Sequence, residues 1–157
     1  RSTQAKTLFP YTTLFRSLSG CPAPGGDDWQ AQMLRSINTI RAGAGVGPVS
    51  LCGTLGTAAQ QHSEDQAGRS TMSHSGADGS RVGDRAARSG YGGWSAIAEN
   101  VAKGQTTVDL AMWSWMSSPG HRENILDPAY THVGFGRASS SGGTQFWTQD
   151  FGAGGSC

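Results

Sequence analysis

The sequence predicts an α+β domain in which helices pack on an antiparallel sheet. Up to about residue 126, apolar side chains recur at helical spacing between glycine-rich loops. From residue 133 onward, apolar and polar residues alternate in two segments separated by serines and glycines, which is typical of a hairpin. At 157 residues and 36% hydrophobic content, the chain is long enough for one domain with its own core.

The first half of the chain contains three predicted helices. The first follows Asp28, a good N-cap residue, and runs to about Arg41. The second starts with Thr54 as its cap and ends near Gly68, and a short third helix covers residues 79–89. A strand is then predicted over residues 95–103.

A fourth helix is predicted to begin near Thr107 and to bury one apolar face. Ser118 as N-cap and Pro119 at the first helical position begin a further helical segment, which Asp127-Pro128 ends. The hairpin comprises residues 133–137 and 144–151. The tryptophans, Trp113, Trp115 and Trp147 among them, are expected to belong to the core.

The N-terminal segment has an unusual origin. Residues 7–17, TLFPYTTLFRS, resemble the translation of a sequencing adapter, although their composition would also suit a natural strand. We therefore exclude residues 1–17 from the fold and expect them to be dispensable. Without Arg1, Lys6 and Arg16, the 12 basic residues become 9 against 11 acidic ones, so the formal charge changes from +1 to −2. This balance, without a basic cluster, argues against a nucleic-acid partner.

Residues 18–27 are predicted to be a lipobox remnant followed by a Pro/Gly linker. Leu18-Ser19-Gly20-Cys21 resembles the motif at which bacterial lipoproteins are cleaved and lipidated, though an ordinary secreted cysteine or the end of a plain signal peptide is the alternative. Any membrane attachment would then depend on an anchor at Cys21, because no apolar run approaches the ~20 residues of a membrane-spanning helix. The cysteine count is odd, and lipidation of Cys21 would leave Cys52 and Cys157 to form a disulfide.

Five motifs occur in order between residues 28 and 152: His74-Ser75-Gly76, residues 98–102 (AENVA), residues 115–126 (WMSSPGHRENIL), residues 133–136 (VGFG) and residues 146–152 (FWTQDFG). Together they resemble the signatures of the CAP superfamily of cysteine-rich secretory and pathogenesis-related proteins, in its short bacterial form. The resemblance implies one domain over residues 28–157, built as a three-layer α-β-α sandwich with a cleft. It also implies an extracytoplasmic protein, which we expect to be monomeric.

The cleft of many CAP domains holds two histidines and two glutamates. The matching positions here are His74, Glu99 and His121, while Ser118 replaces the second glutamate. Two imidazoles and a carboxylate can bind zinc or another divalent metal, weakly if one ligand is lost, and no cofactor is required. The alternative is a buried hydrogen-bond network that holds loops on the sheet. His62, on the apolar face of the second helix, is expected to be a core histidine, and His132 to be structural or exposed.

Three functional classes follow from these residues. A binding or interaction module is the main prediction, with its biological partner open. A hydrolase would use Ser118 as nucleophile, His121 as base and Glu99 as orienting acid, but the chain lacks the G-x-S-x-G motif of a nucleophile elbow. Some eukaryotic CAP proteins bind lipid or sterol, so a small apolar or lipid ligand is the third possibility.

Overall fold

The computed structural model describes residues 28–157, and the domain is a three-layer α-β-α sandwich. The predictions for residues 1–27, namely the adapter-derived segment, the linker and lipidation at Cys21, lie outside the described residues. The helices are α1 (Trp29–Gly43), α2 (Gly53–Arg69), α3 (Val82–Arg88), α4 (Val108–Ser117) and α5 (Pro119–Leu126). The strands are β1 (Ser50–Leu51), β2 (Ala96–Lys103), β3 (His132–Ser139) and β4 (Gln145–Ala153).

The sheet has the order β1-β3-β4-β2. The three long strands are antiparallel, as predicted, and β3 and β4 form the expected hairpin. Two-residue β1 pairs in parallel with β3 and was not predicted, because two residues are too few for an alternating pattern to appear. In the segment described, β2 forms the edge of the sheet opposite β1.

Two of the predicted helix starts differ from the structure. The Asp28 side chain does cap α1, accepting a hydrogen bond from the Ala31 amide at 3.0 Å. Thr54 does not cap α2: Cys52 holds the N-cap position, and the Thr54 hydroxyl donates instead to the Ser156 carbonyl at 3.1 Å. Helix α3 is shorter than predicted and begins at Val82, since the preceding residues form a tight turn.

The junction between α4 and α5 also departs from the prediction in detail. Thr107 caps α4 through its hydroxyl, and Pro119 opens α5 as expected. Ser118 does hold the N-cap position, but its hydroxyl makes no capping hydrogen bond. The prediction that Trp113 lies in the core is wrong, because its side chain points outward from α4 and is 60% exposed.

One face of the sheet carries the main apolar core. Helices α1, α4 and α5 cover this face. At its centre Trp115 is fully buried and its indole N–H donates to the Val101 carbonyl at 3.0 Å. The core residues of this face include Met33, Ile37, Met112, Trp115, Ile125, Val133, Phe135, Trp147 and Phe151.

Helix α2 lies unusually close to the other face. A Cβ atom on Gly134 or Gly136 of β3 would come within 2.2 Å and 2.1 Å, respectively, of the α2 backbone. Glycine at these two positions therefore lets helix and strand backbones meet directly. Polar groups join the same two layers, since the Ser63 hydroxyl donates to Thr148 Oγ1 at 2.8 Å. In the described part of the chain, no helix is long and apolar enough to cross a membrane.

Candidate functional site

Glu99 is the buried centre of the candidate site. It lies on β2 opposite Asp150 of β4, with its side chain only 3% exposed on the face covered by α2 and α3. A buried carboxylate requires hydrogen bonds or an opposite charge. Glu99 has both: Oε1 contacts His74 Nδ1 at 2.8 Å, and Oε2 forms an ion pair with Nη2 of Arg85.

Arg85 connects this carboxylate to the loop before α3. Its Nη1 donates to the carbonyl of Ser80 at 2.7 Å and to that of His74 at 3.3 Å. The guanidinium therefore neutralises Glu99 and holds the His74 backbone at the same time. Sequence analysis missed Arg85, because a lone arginine in a short polar helix carries no signal that it is buried.

His62 is a core histidine, as predicted, and it also borders the site. Its ring is fully buried on α2, and Nε2 lies 2.8 Å from the Ser73 carbonyl and 3.7 Å from Glu99 Oε2. Burial lowers the pKa of His62, which favours the neutral ring. We call Glu99, His74, Arg85 and His62 the Glu99 cluster.

His74 is the exposed member of the Glu99 cluster. Its side chain is 61% exposed, although Nδ1 is bound to the buried carboxylate. The hydrogen bond to Glu99 raises the pKa of His74, with burial acting in the opposite direction. With Nδ1 engaged, Nε2 is the ring nitrogen left for solvent or a ligand.

His121 reaches this region from the other helical layer. It lies in the first turn of α5, and its backbone carbonyl accepts a hydrogen bond from Asn100 Nδ2 at 3.1 Å. Burial and, secondly, the charge of His74 lower the pKa of His121. Both effects favour the neutral ring that binds metals.

The three predicted ligands do not form one compact set. Glu99 and His74 are in direct contact, but within residues 28–157 the ligand atoms of His74, Glu99 and His121 are not all within 4.8 Å of one another. Both Glu99 oxygens are already engaged by His74 and Arg85. The structure thus contains the predicted hydrogen-bond network around Glu99, with His74 as a member.

The alternative catalytic triad lacks its connecting hydrogen bonds. No hydrogen bond joins Ser118 to His121 in residues 28–157, and the carboxylate of Glu99 binds His74 rather than His121. A triad requires one hydrogen bond between the nucleophile and the base and another between the base and the acid. This geometry gives the hydrolase hypothesis no support.

Asp150 is a second buried carboxyl group that the sequence analysis did not identify. It is fully buried beside Glu99, and neither oxygen has a hydrogen-bond partner among the described residues. Burial, reinforced by the charge of Glu99, raises the pKa of Asp150 well above its ordinary value. The protonated acid is therefore favoured. The one acidic residue in β4 was the available signal.

The predicted disulfide between Cys52 and Cys157 is present. The Cα atoms lie 5.0 Å apart, and the bond links residues separated by 105 positions. It fastens the segment after β4 to the start of α2. His132 lies beside it, neither fully exposed nor fully buried.

A separate groove of about 490 Å³ lies beside the start of α2. It shares no lining residue with the Glu99 cluster, and amide side chains and a carboxylate accompany its apolar residues. The lining includes Gln30, Leu51, Gln60, Gln61, Glu64 and Phe135. The expectation of an apolar or lipid ligand gains no support from so mixed a surface.

Comparison with known proteins identifies relatives over most of the chain. The sequence model of the cysteine-rich secretory protein family (CAP) matches residues 34–151. Protein YkwD of Bacillus subtilis is 31% identical over 123 residues, covering 78% of this chain and 46% of YkwD. The chain thus spans less than half of that relative.

Solved structures show the same fold. An extracellular protein with an SCP domain from Bacillus anthracis superposes with a TM-score of 0.69 at 26% identity, over 86% of this chain and 45% of that one. An outer surface protein from Borrelia burgdorferi gives a TM-score of 0.74 at 16% identity, over 81% and 93% of the two chains.

Proposed function

Because the chain belongs to the cysteine-rich secretory protein (CAP) family, we propose that it is an extracytoplasmic binding module whose cleft holds a divalent metal ion weakly between His74 and His121. The Cys52–Cys157 disulfide supports this location, since such bonds persist in oxidising compartments. The Bacillus anthracis and Borrelia burgdorferi proteins, described as extracellular and outer surface, agree with it.

The observation that carries the metal proposal is the contact between Glu99 and His74. A carboxylate that accepts from one ring nitrogen of a histidine fixes the ring and increases the basicity of the other nitrogen. Glu99 does this at 2.8 Å from Nδ1, while the rest of the His74 side chain remains exposed. Glu99 is therefore a positioning residue and not itself a ligand.

Two imidazoles with no bound carboxylate form a weak site. Zinc takes four ligands in tetrahedral sites, so solvent or a ligand atom from a partner would occupy the remaining positions. A bound metal would polarise such a ligand. Ser118 stands where the fourth cleft residue of the family is found, and its hydroxyl cannot replace the missing carboxylate.

Calorimetric zinc titration of the oxidised protein tests this proposal. We expect weak binding by the wild type, none by the His74→Ala/His121→Ala double variant, and tighter binding by Ser118→Glu. His132→Ala is the matched control, because it removes an imidazole outside the cleft and should bind like the wild type. Equal binding by all four proteins would contradict the proposal.

A further inference from the structure

Three metal-ligating side chains meet near the β1 edge of the sheet, which is opposite the β2 edge. Cys52 follows β1, His132 begins β3, and Cys157 lies beyond β4. One ligand atom from each of them lies within 4.8 Å of the other two, and this is the one such group of three in residues 28–157. We call Cys52, Cys157 and His132 the disulfide corner.

The pairing of β1 with β3 positions two of these residues. Ser50 pairs with His132, and the Cys52 amide donates to the Val133 carbonyl at 2.9 Å. Cys52 is 2% exposed, so neighbouring backbone and side chains fix its position. The arrangement of Cys52 and His132 therefore does not depend on the disulfide.

Tyr91 orients His132. The buried Tyr91 hydroxyl lies 3.0 Å from His132 Nδ1, and the two rings meet edge to face with centroids 5.9 Å apart. Glycines at 152 and 155 leave room for the tyrosine, because a Cβ at either position would come within 2.5 Å of it. Nδ1 is thus engaged by an outer hydrogen bond, which would leave Nε2 as the ligating nitrogen, as in histidine metal sites.

The sulfur atoms also have local support. Cys52 is the N-cap residue of the 17-residue helix α2, where the positive end of the helix stabilises a thiolate. The Thr54 hydroxyl lies 3.2 Å from Cys52 Sγ and donates to the Ser156 carbonyl. Backbone hydrogen bonding from Ser156 to Gly92 holds the same segment, so Cys157 would stay near Cys52 after the disulfide is broken.

We propose that reduction of the Cys52–Cys157 bond converts the disulfide corner into a Cys2His site for a thiophilic divalent metal such as Zn²⁺. A dithiol reductant supplies two electrons and two protons, becomes a disulfide itself, and leaves two thiols on the protein. Both thiols then lose their protons to solvent as two S–metal bonds form. His132 supplies the third ligand and water the fourth, which completes a tetrahedron.

The geometry requires only a small rearrangement. Two sulfur ligands of a tetrahedral zinc ion, each at ~2.3 Å, stand roughly 3.8 Å apart. The three ligand atoms already lie within 4.8 Å of one another, and Cys157 is exposed beyond the end of β4. Displacement of Cys157 alone can therefore open the site. The oxidised protein has no thiolate at this corner, so metal binding and the disulfide exclude each other.

Cobalt titration of the full chain tests the proposal. All proteins carry Cys21→Ser, which removes the third thiol, and are reduced with a phosphine that is then removed without air. We expect the reduced protein to bind one Co²⁺ with a thiolate charge-transfer absorption that Zn²⁺ abolishes, and the oxidised protein to show none. Absence of this absorption in reduced protein would overturn the proposal.

Matched variants assign the ligands. Cys157→Ser should remove the absorption, and His132→Ala should weaken metal binding by roughly tenfold or more, while Tyr91→Phe should weaken it by ~10- to 100-fold through loss of the orienting hydrogen bond. His74→Ala, in the cleft, should change nothing at this site. Unchanged affinity in His132→Ala or Cys157→Ser would contradict the assignment.

Thermal unfolding gives an independent measurement. A ligand that binds only the folded state raises the melting temperature. In a His74→Ala/His121→Ala background, which lacks the cleft site, Zn²⁺ should therefore raise the melting temperature of the reduced protein, and this increase should disappear when Cys157→Ser is added. Cys157 is exposed, so its substitution is not expected to prevent folding. A reduced protein that Zn²⁺ fails to stabilise would overturn the proposal.

Discussion

The two faces of the sheet differ in what they bury. The face under α1, α4 and α5 packs large apolar side chains such as Trp115, Trp147 and Phe151. The face under α2 and α3 buries glycine backbone, an ion pair and the carboxyl groups of Glu99 and Asp150. The same strands provide both faces, because alternate residues point to opposite sides. Stability is thus concentrated on one face, and the groups able to do chemistry lie on or beside the other.

The largest effect is expected on the apolar face. Trp115→Ala removes a fully buried ring together with its hydrogen bond to the Val101 carbonyl. We expect the free energy of unfolding to fall by ~3–5 kcal/mol, as for large-to-small core substitutions. Urea denaturation measures it. Trp113→Ala, two residues away in the same helix but 60% exposed, should change stability by no more than ~0.5 kcal/mol. Similar losses in both variants would contradict the division between the faces.

On the face under α2 and α3, loss of Arg85 is expected to lower the free energy of unfolding by about 3 kcal/mol. Arg85→Met leaves the buried Glu99 carboxylate without its cation, and breaking a buried pair on one side costs ~3–5 kcal/mol. Arg88→Met is the control on the same helix. Its ion pair with Asp78 is more than half exposed, so solvent screens it and its loss should change stability far less than loss of Arg85. Equal losses for the two variants, measured by chemical denaturation, would show that the Glu99 cluster contributes no special electrostatic stabilisation.

The close approach of α2 predicts a smaller loss at a glycine. A methyl group on Gly136 would lie 2.1 Å from the Ala59 carbonyl, which is backbone and cannot rotate away. We expect Gly136→Ala to lower the free energy of unfolding by ~1–3 kcal/mol through overpacking. Gly56→Ala, within α2 and with no atom in reach of the new methyl, should stabilise by up to ~1 kcal/mol. Thermal melting measures the effect. A Gly136→Ala variant that melts at the same temperature as the wild type would contradict direct packing of the two backbones.

The smallest expected effect is a change in the free energy of unfolding with pH. Asp150 has a raised pKa in the folded protein, chiefly because it is buried, so the folded state holds its proton more tightly than the unfolded state. Its contribution to stability is complete below the unfolded value of ~3.9 and is lost as pH rises through the raised pKa. Asp150→Asn keeps the shape without the titration. Urea denaturation at several pH values checks this. The urea midpoint of Asp150→Asn, relative to that of the wild type, should increase progressively as pH rises. A difference independent of pH would contradict this interpretation.

The sequence predicted the apolar face better than the polar one. Helical and alternating periodicity located the long strands and the buried side of α4, and cysteine parity identified the disulfide between Cys52 and Cys157. Family motifs pointed to His74 and Glu99, which do contact each other. Arg85 was missed, because its pairing joins α3 to β2 through tertiary structure alone. Asp150 was missed because its position opposite Glu99 depends on strand register, which no single motif specifies. Trp113 was predicted to be buried from its residue type alone, but it is exposed.

Glu99 binds the His74 ring and is expected to orient it, and NMR titration of that ring measures the interaction directly. We expect a His74 pKa above the ordinary ~6.5 in the wild type, because Glu99 accepts a hydrogen bond from the ring, and a lower pKa in Glu99→Gln. The ring signals of His132 should be the same in both folded proteins, because its hydrogen-bond partner is Tyr91. A His74 ring that titrates at its ordinary value in the wild type and does not respond to Glu99→Gln would show that Glu99 does not orient it.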